Sequence, residues 1–242
     1  MRADDSRGLF HSVESSLKSS WPKPMIRTTD ELIDRIATEL IWRRRELTIQ
    51  RELVQKFKDD PLRSRVLIRG AVALLYAHWE GFVKKTSSYY LEYVAAQRLP
   101  YKALAINFVG LSLKSKFNEL GASEKVSSGN ALAEFFCTAM ESRSSIPYKK
   151  GVDTKSNLSS NVLVDILDAL GLDVSKFETR LKFIDSNLVN PRNHVAHGEN
   201  LDDLPIDEYI SLHDDVLTLI ETFRNEVENA SVLGHFKRSS VR

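Results

Sequence analysis

The segment Asn190-Pro191-Arg192-Asn193-His194-Val195-Ala196-His197-Gly198 places a guanidinium, a side-chain amide and two imidazoles within residues 192 to 197. An imidazole, with an unperturbed pKa of about 6.5, gives or takes a proton near neutral pH. A guanidinium is permanently charged and binds phosphate oxygens through a forked pair of hydrogen bonds. Together these groups suit attack by a ribose 2′-hydroxyl on its neighbouring phosphodiester. That reaction needs a proton acceptor, a proton donor and a counter-charge for the phosphate, but no protein nucleophile and no metal. His197 is the candidate for proton transfer, Arg192 for holding the phosphate, and Asn193 for orienting a phosphate or hydroxyl through its amide. His194 is either a supporting partner of His197 or a surface residue.

The segment's own conformation decides whether these groups meet. Pro191 suits the first turn of a helix and Gly198 suits a stop, so one to two helical turns are expected from about Arg192, with free N–H groups at the start that favour an anion. On such a helix Arg192 and His197, five residues apart, are separated by roughly 140°. A second copy of the segment across a two-fold axis would supply the missing group. The bland alternative pairs Arg192 with Asp202 or Asp203 and leaves His197 capping a turn.

The elements that carry the segment are helical by their patterning. Thr28-Thr29-Asp30 is a start signal, and Leu32, Ile33, Ile36, Leu40, Leu47 and Leu53-Val54 follow at helical spacing up to Asp59-Asp60-Pro61. Leu67, Ala71, Leu74, Leu75, His78, Phe82, Tyr89 and Tyr93 predict a second long helix before Pro100, antiparallel to the first. Residues 101–120 and 129–143 read as shorter helices, and 144–160 as a mobile loop. A helix over 161–170 stops at Gly171, another runs from a Ser175 cap to about Val189, and a last one covers 207–227. No stretch alternates with period two, so the expectation is an all-α bundle built on a long antiparallel helix hairpin. Its apolar contact with a second copy is expected from the long helices of residues 28–98 or from the last helix near Tyr209 to Phe223.

Composition narrows the classes. A chain of 242 residues with 42% hydrophobic residues can bury one core. The expected division is an N-terminal arm over 1–27, with Trp21 as its one aromatic anchor, a helical domain over 28–229 and a basic tail over 230–242. Lys+Arg 34 against Asp+Glu 33 gives no basic excess, so any nucleic-acid contact is local. The runs Arg43-Arg44-Arg45, Lys84-Lys85, Lys149-Lys150 and Lys237-Arg238 read mostly as solvated faces and tails. Cys137 has no partner for a disulfide or a zinc site, which suits a reducing cytoplasm. Neither a secretory leader nor a membrane span is expected, nor any cofactor or metal; Asp202-Asp203 and Asp214-Asp215 are adjacent pairs that diverge on a helix, which argues against a metal-dependent nuclease.

Arg192-Asn193, three further residues and His197 resemble the signature of the HEPN superfamily: an arginine followed by a polar residue, then a histidine after four to six residues in all. The stretch Leu74-Leu75-Tyr76-Ala77-His78-Trp79-Glu80-Gly81-Phe82-Val83-Lys84-Lys85 resembles the long second helix of its prokaryotic RiboL-PSP-HEPN-like ribonuclease branch, found in toxin-antitoxin and phage-defence loci. The resemblance spans about residues 28–228. It implies a helical bundle, a homodimer that brings two motifs into one cleft, and metal-independent cleavage of an RNA substrate, with an antitoxin or defence-system protein as a further partner. The alternative it leaves open is a non-catalytic scaffold or regulatory module of the same fold. It also implies that an acidic residue of the second helix, here Glu80, can orient the catalytic arginine or histidine; an internal salt bridge is the equal alternative. His78, on the apolar stripe, is a core histidine or a supporting one. In toxins silenced by nucleotidylation a tyrosine lies two residues after the histidine, where this chain has Glu199.

Overall fold

A computed structural model describes residues 24–120, 126–150, 152, 157–199 and 204–239. Among them the protein is all-α, with two isolated β-bridges, Pro100 to Arg143 and Leu104 to Lys237, and no strand. Helix α1 spans Thr29–Lys56. It begins where the sequence indicates, with a reciprocal box in which the Thr28 hydroxyl accepts the Glu31 N–H and the Glu31 carboxylate accepts the Thr28 N–H. Helix α2, Pro61–Ala96, starts on the Asp60 side chain with Pro61 in its first turn, a position that needs no N–H partner.

These two helices and α8, Ile206–Val232, form the centre of the bundle. Leu32, Ile36, Leu40 and Leu47 of α1 pack with Leu75, Trp79, Phe82 and Val83 of α2 and with Val216, Leu219, Ile220 and Phe223 of α8, all of them buried. At Gly81 an added Cβ would lie 3.3 Å from an Arg43 guanidinium nitrogen, so the glycine lets α1 and α2 approach closely there. Helix α2 is apolar on nearly every face because it is surrounded: α1, α8, the 184–196 segment and the helix Ser160–Leu170 all pack on it. It is also long and apolar enough by composition to cross a membrane, though half of its most apolar window is buried inside this bundle.

Helices α3, Ile106–Leu120, α4, Val126–Thr138, and α5, Ser160–Leu170, complete the periphery. Gly171 ends α5 in the left-handed region at φ 67°, as its type and position predict.

Several expectations need correction. Within 144–160, where a mobile loop is expected, the described residues Ser144, Ile146 and Leu158 are buried, and Tyr148–Lys150 forms a 3-10 turn on α2. The arm ends sooner than residue 27, since Ile26 is buried; Trp21 lies outside the described residues. The tail does not begin at residue 230, because α8 continues to Val232, Phe236 enters the core, and the Arg238 N–H donates to the Ala103 carbonyl. Arg43 is not part of a solvated face but is buried in the α1–α2 seam.

Candidate functional site

The motif lies on a continuous helical path, where the sequence suggested a fresh helix start. Helix α6, Leu181–Phe183, passes through a π-helical segment, Ile184–Val189, directly into α7, Asn190–Ala196. Val189 and Asn190 both keep helical dihedrals, at φ −66°, ψ −53° and φ −62°, ψ −51°. Pro191 lacks an N–H, and its ring crowds the carbonyl four residues earlier in an α-helix. The wider turns just before it change that spacing, with the Asn190 N–H donating to the Asp185 carbonyl. A start with free N–H groups at Arg192 is therefore not formed, and the expected anion site of that kind is absent. The Ser175 cap is likewise replaced: Asp173 accepts the Ser175 N–H, and short 3-10 turns lead into α6.

The C-terminal end follows expectation. Gly198 adopts φ 74°, its N–H donates to the Val195 carbonyl, and the Glu199 N–H donates to the His194 carbonyl at 2.9 Å. This pair of bonds is the Schellman arrangement. It leaves His197 as the last residue before the turn, at φ −85°, ψ 2°, with its side chain exposed.

Arg192 points the other way, onto α2. Its guanidinium carbon sits 5.0 Å from the centre of the Tyr76 ring, and Nη1 donates to Asn193 Oδ1 at 2.9 Å. A cation over an aromatic face is attracted by the ring's quadrupole, which holds the guanidinium there. Tyr76 is itself fixed: its hydroxyl donates to Asn157 Oδ1 at 2.8 Å and accepts the Leu158 N–H at 2.6 Å. Burial pushes the Tyr76 hydroxyl well above its ordinary titration range; Leu158 opposes this, and the Glu80 carboxylate one turn along α2 reinforces it. Beneath the motif, Asp185 of the π segment accepts from the Ser160 N–H and Oγ at 2.8 and 2.5 Å, tying the start of α5 to the same region.

The structure thus brings Arg192 and Asn193 together with Tyr76, and Tyr76 together with Glu80. It does not bring in His78. That imidazole is buried on the opposite side of α2, with Nε2 3.1 Å from Glu46 Oε2 and its ring against Trp42 of α1. Its titration is lowered by burial, helped by the nearby Arg43, while Glu46 works against the shift. His194 is exposed, and its Nε2 faces Glu199 Oε2 at 3.5 Å. Asp202 and Asp203, the alternative partners of Arg192, lie outside the described residues. Tyr76 is the residue that sequence reasoning passed over. Its signal was present in the four-residue spacing to Glu80, which puts both on one face of α2.

The RiboL-PSP-HEPN family model matches residues 38–229, a span that holds the motif, α2 and most of the bundle. No curated protein and no solved structure matches the chain.

Proposed function

Since the chain belongs to the RiboL-PSP-HEPN family, we propose that it is a metal-independent endoribonuclease that acts as a homodimer on RNA in the cytoplasm, under the control of an antitoxin or defence-system partner. One observation carries this reading. Arg192 is fixed over Tyr76 beside Asn193, while His197, at the end of the same helix, keeps an exposed imidazole.

In this mechanism one His197 accepts the proton of the ribose 2′-hydroxyl as its oxygen forms a bond to phosphorus. The bond from phosphorus to the 5′-oxygen breaks, and a second imidazole gives that oxygen a proton. The products are a 2′,3′-cyclic phosphate and a 5′-hydroxyl. Arg192 carries the negative charge that builds on the phosphate oxygens, and Asn193 orients the group it faces.

The second imidazole comes from a second copy of the chain. The apolar residues of α8 from Tyr209 to Phe223 that were expected to face that copy are largely buried in the protein's own core. An exposed apolar stripe remains on α1 at Ile41, Trp42 and Ile49, but α1 packs on the His78 side of α2, away from Arg192. The two-fold axis in this reading therefore passes close to α7. Co-expression of an Arg192→Ala chain with a His197→Ala chain tests it. Mixed dimers should recover part of the cleavage that either variant alone lacks, and no recovery in a mixture shown to form heterodimers refutes the shared site.

A second reading, a non-catalytic module of the same fold, draws on the same stacking of Arg192 on Tyr76, taken as packing alone. RNA left intact by the wild-type dimer at every pH from 6 to 8 would favour it.

A further inference from the structure

The face of α2 that carries Tyr76 runs one helical turn back to Val72, and there it floors a groove of about 380 Å³ between the π segment and the first turns of α8. Residues four apart on a helix share a face and are separated by about 6 Å along the axis. That is the scale on which a nucleotide's base stands off from its phosphate. Pro191, which directly precedes Arg192, is part of the same groove. A chain whose phosphate rests on Arg192 therefore has a neighbouring base within reach of it.

The lining suits a flat ring better than a second phosphate. Val72, Phe183 and Leu212 offer apolar surface, while the rim carries Asn187, Glu208 and Asp215. One oxygen of Asp215 is taken by Arg180 at 2.8 Å, and Glu208 is exposed. Two carboxylates repel a phosphate but accept hydrogen bonds from amino groups on a base edge. Resting on the ribonuclease reading above, we propose that this groove binds the nucleobase beside the cleaved phosphate and selects a base with an exocyclic amine, adenine, cytosine or guanine, over uracil. Glu208 accepts from the amine, and the Asn187 amide completes the edge.

The test measures binding of the four ribonucleoside 3′-monophosphates to the full chain by calorimetry at fixed salt, so that no turnover is needed. The adenine, cytosine and guanine nucleotides should bind at least about fivefold more tightly than the uracil one. Glu208→Ala should reduce that preference to within about twofold, and Ser211→Trp, at an exposed position on the groove wall, should abolish it by filling the space. Arg192→Ala should weaken all four alike. Equal binding of the uracil nucleotide by the wild type, or a preference unchanged in a folded Glu208→Ala chain, overturns the proposal. A chain that discriminates bases yet cleaves no RNA would refute the ribonuclease reading and keep the groove. Cleavage without any base preference would refute the groove alone.

Discussion

Helix α2 separates two groupings of the same residue types, each with an arginine over an aromatic ring and a histidine on the same side. On one side Arg43 and His78 are buried and paired within the protein, although Arg43 Nε has no hydrogen-bond partner among the described residues. Arg43 Nη1 donates to the Glu39 carbonyl at 3.0 Å and pairs with the Glu39 carboxylate, its guanidinium lies 4.2 Å from the centre of the Trp42 ring, and Tyr89 donates to the same carboxylate at 2.8 Å. Burial alone would raise the Glu39 carboxyl, but hydrogen bonds from Arg43, Tyr89 and Trp42 outweigh it and hold the group below its usual range. On the other side Arg192 is only half-buried and His197 is exposed. The difference teaches that residue type does not make a site. What matters is whether the fold has enclosed the side chain or has held it where a ligand can reach it.

The sharpest way to break this comparison is to delete each member and measure activity and stability separately. His197→Ala should lower RNA cleavage by about 10²–10⁴-fold, the usual range for a general acid or base, and Arg192→Ala by about 10²–10³-fold. Asn193→Ala should cost roughly tenfold, because water replaces part of an orienting amide. Thermal melts should show losses of no more than about 1 kcal/mol for any of the three, Arg192 giving up its stacking on Tyr76 and its hydrogen bond to Asn193.

Arg43→Ala should show the reverse pattern. Removing one partner of a buried ion pair strands the other, at a cost of about 3–5 kcal/mol, or a fall of roughly 6–20 °C in Tm for a chain of this size. Cleavage per folded molecule should stay within about twofold of wild type. A stable Arg43→Ala protein without activity would reverse the roles assigned to the two faces.

The smallest effect concerns pH. Because the folded-state titration of His78 lies below the ordinary value of 6.5, its contribution is complete above that pH, where the imidazole is neutral in both states. As pH falls through about 6.5 the unfolded chain binds the proton first. Stability then drops by at most about 1.4 kcal/mol per pH unit until the folded imidazole also protonates. Urea melts at pH 7.5 and 5.5 should show a smaller difference for His78→Gln than for the wild type; an equal difference would place the titrating group elsewhere.

Much of the fold was legible because its signals are local. Thr28 to Asp30, Pro61, Gly171 and Gly198 mark helix ends by chemistry that acts within a few residues, and the long apolar stripes identified α1, α2 and α8. What stayed hidden depends on distant partners. Three consecutive arginines read as solvated until α2 covers Arg43, and nothing near Ile26 or Phe236 shows that the core receives them. The motif itself was legible as a cluster of residue types, but not its geometry. Pro191 reads as a helix start, and only the packing of the 181–196 segment on α2 reveals that the chain stays helical through a π turn. Tyr76 could be placed on a face with Glu80, whereas its contact with Arg192 is a tertiary fact that no spacing encodes.

The most direct test of the central claim is end-group analysis of RNA incubated with purified protein in EDTA. The account predicts fragments ending in 2′,3′-cyclic phosphate and 5′-hydroxyl from the wild type, and none above background from His197→Ala at equal folded concentration. Fragments with 3′-hydroxyl and 5′-phosphate ends, activity that requires added magnesium, or undiminished cleavage by His197→Ala would contradict it.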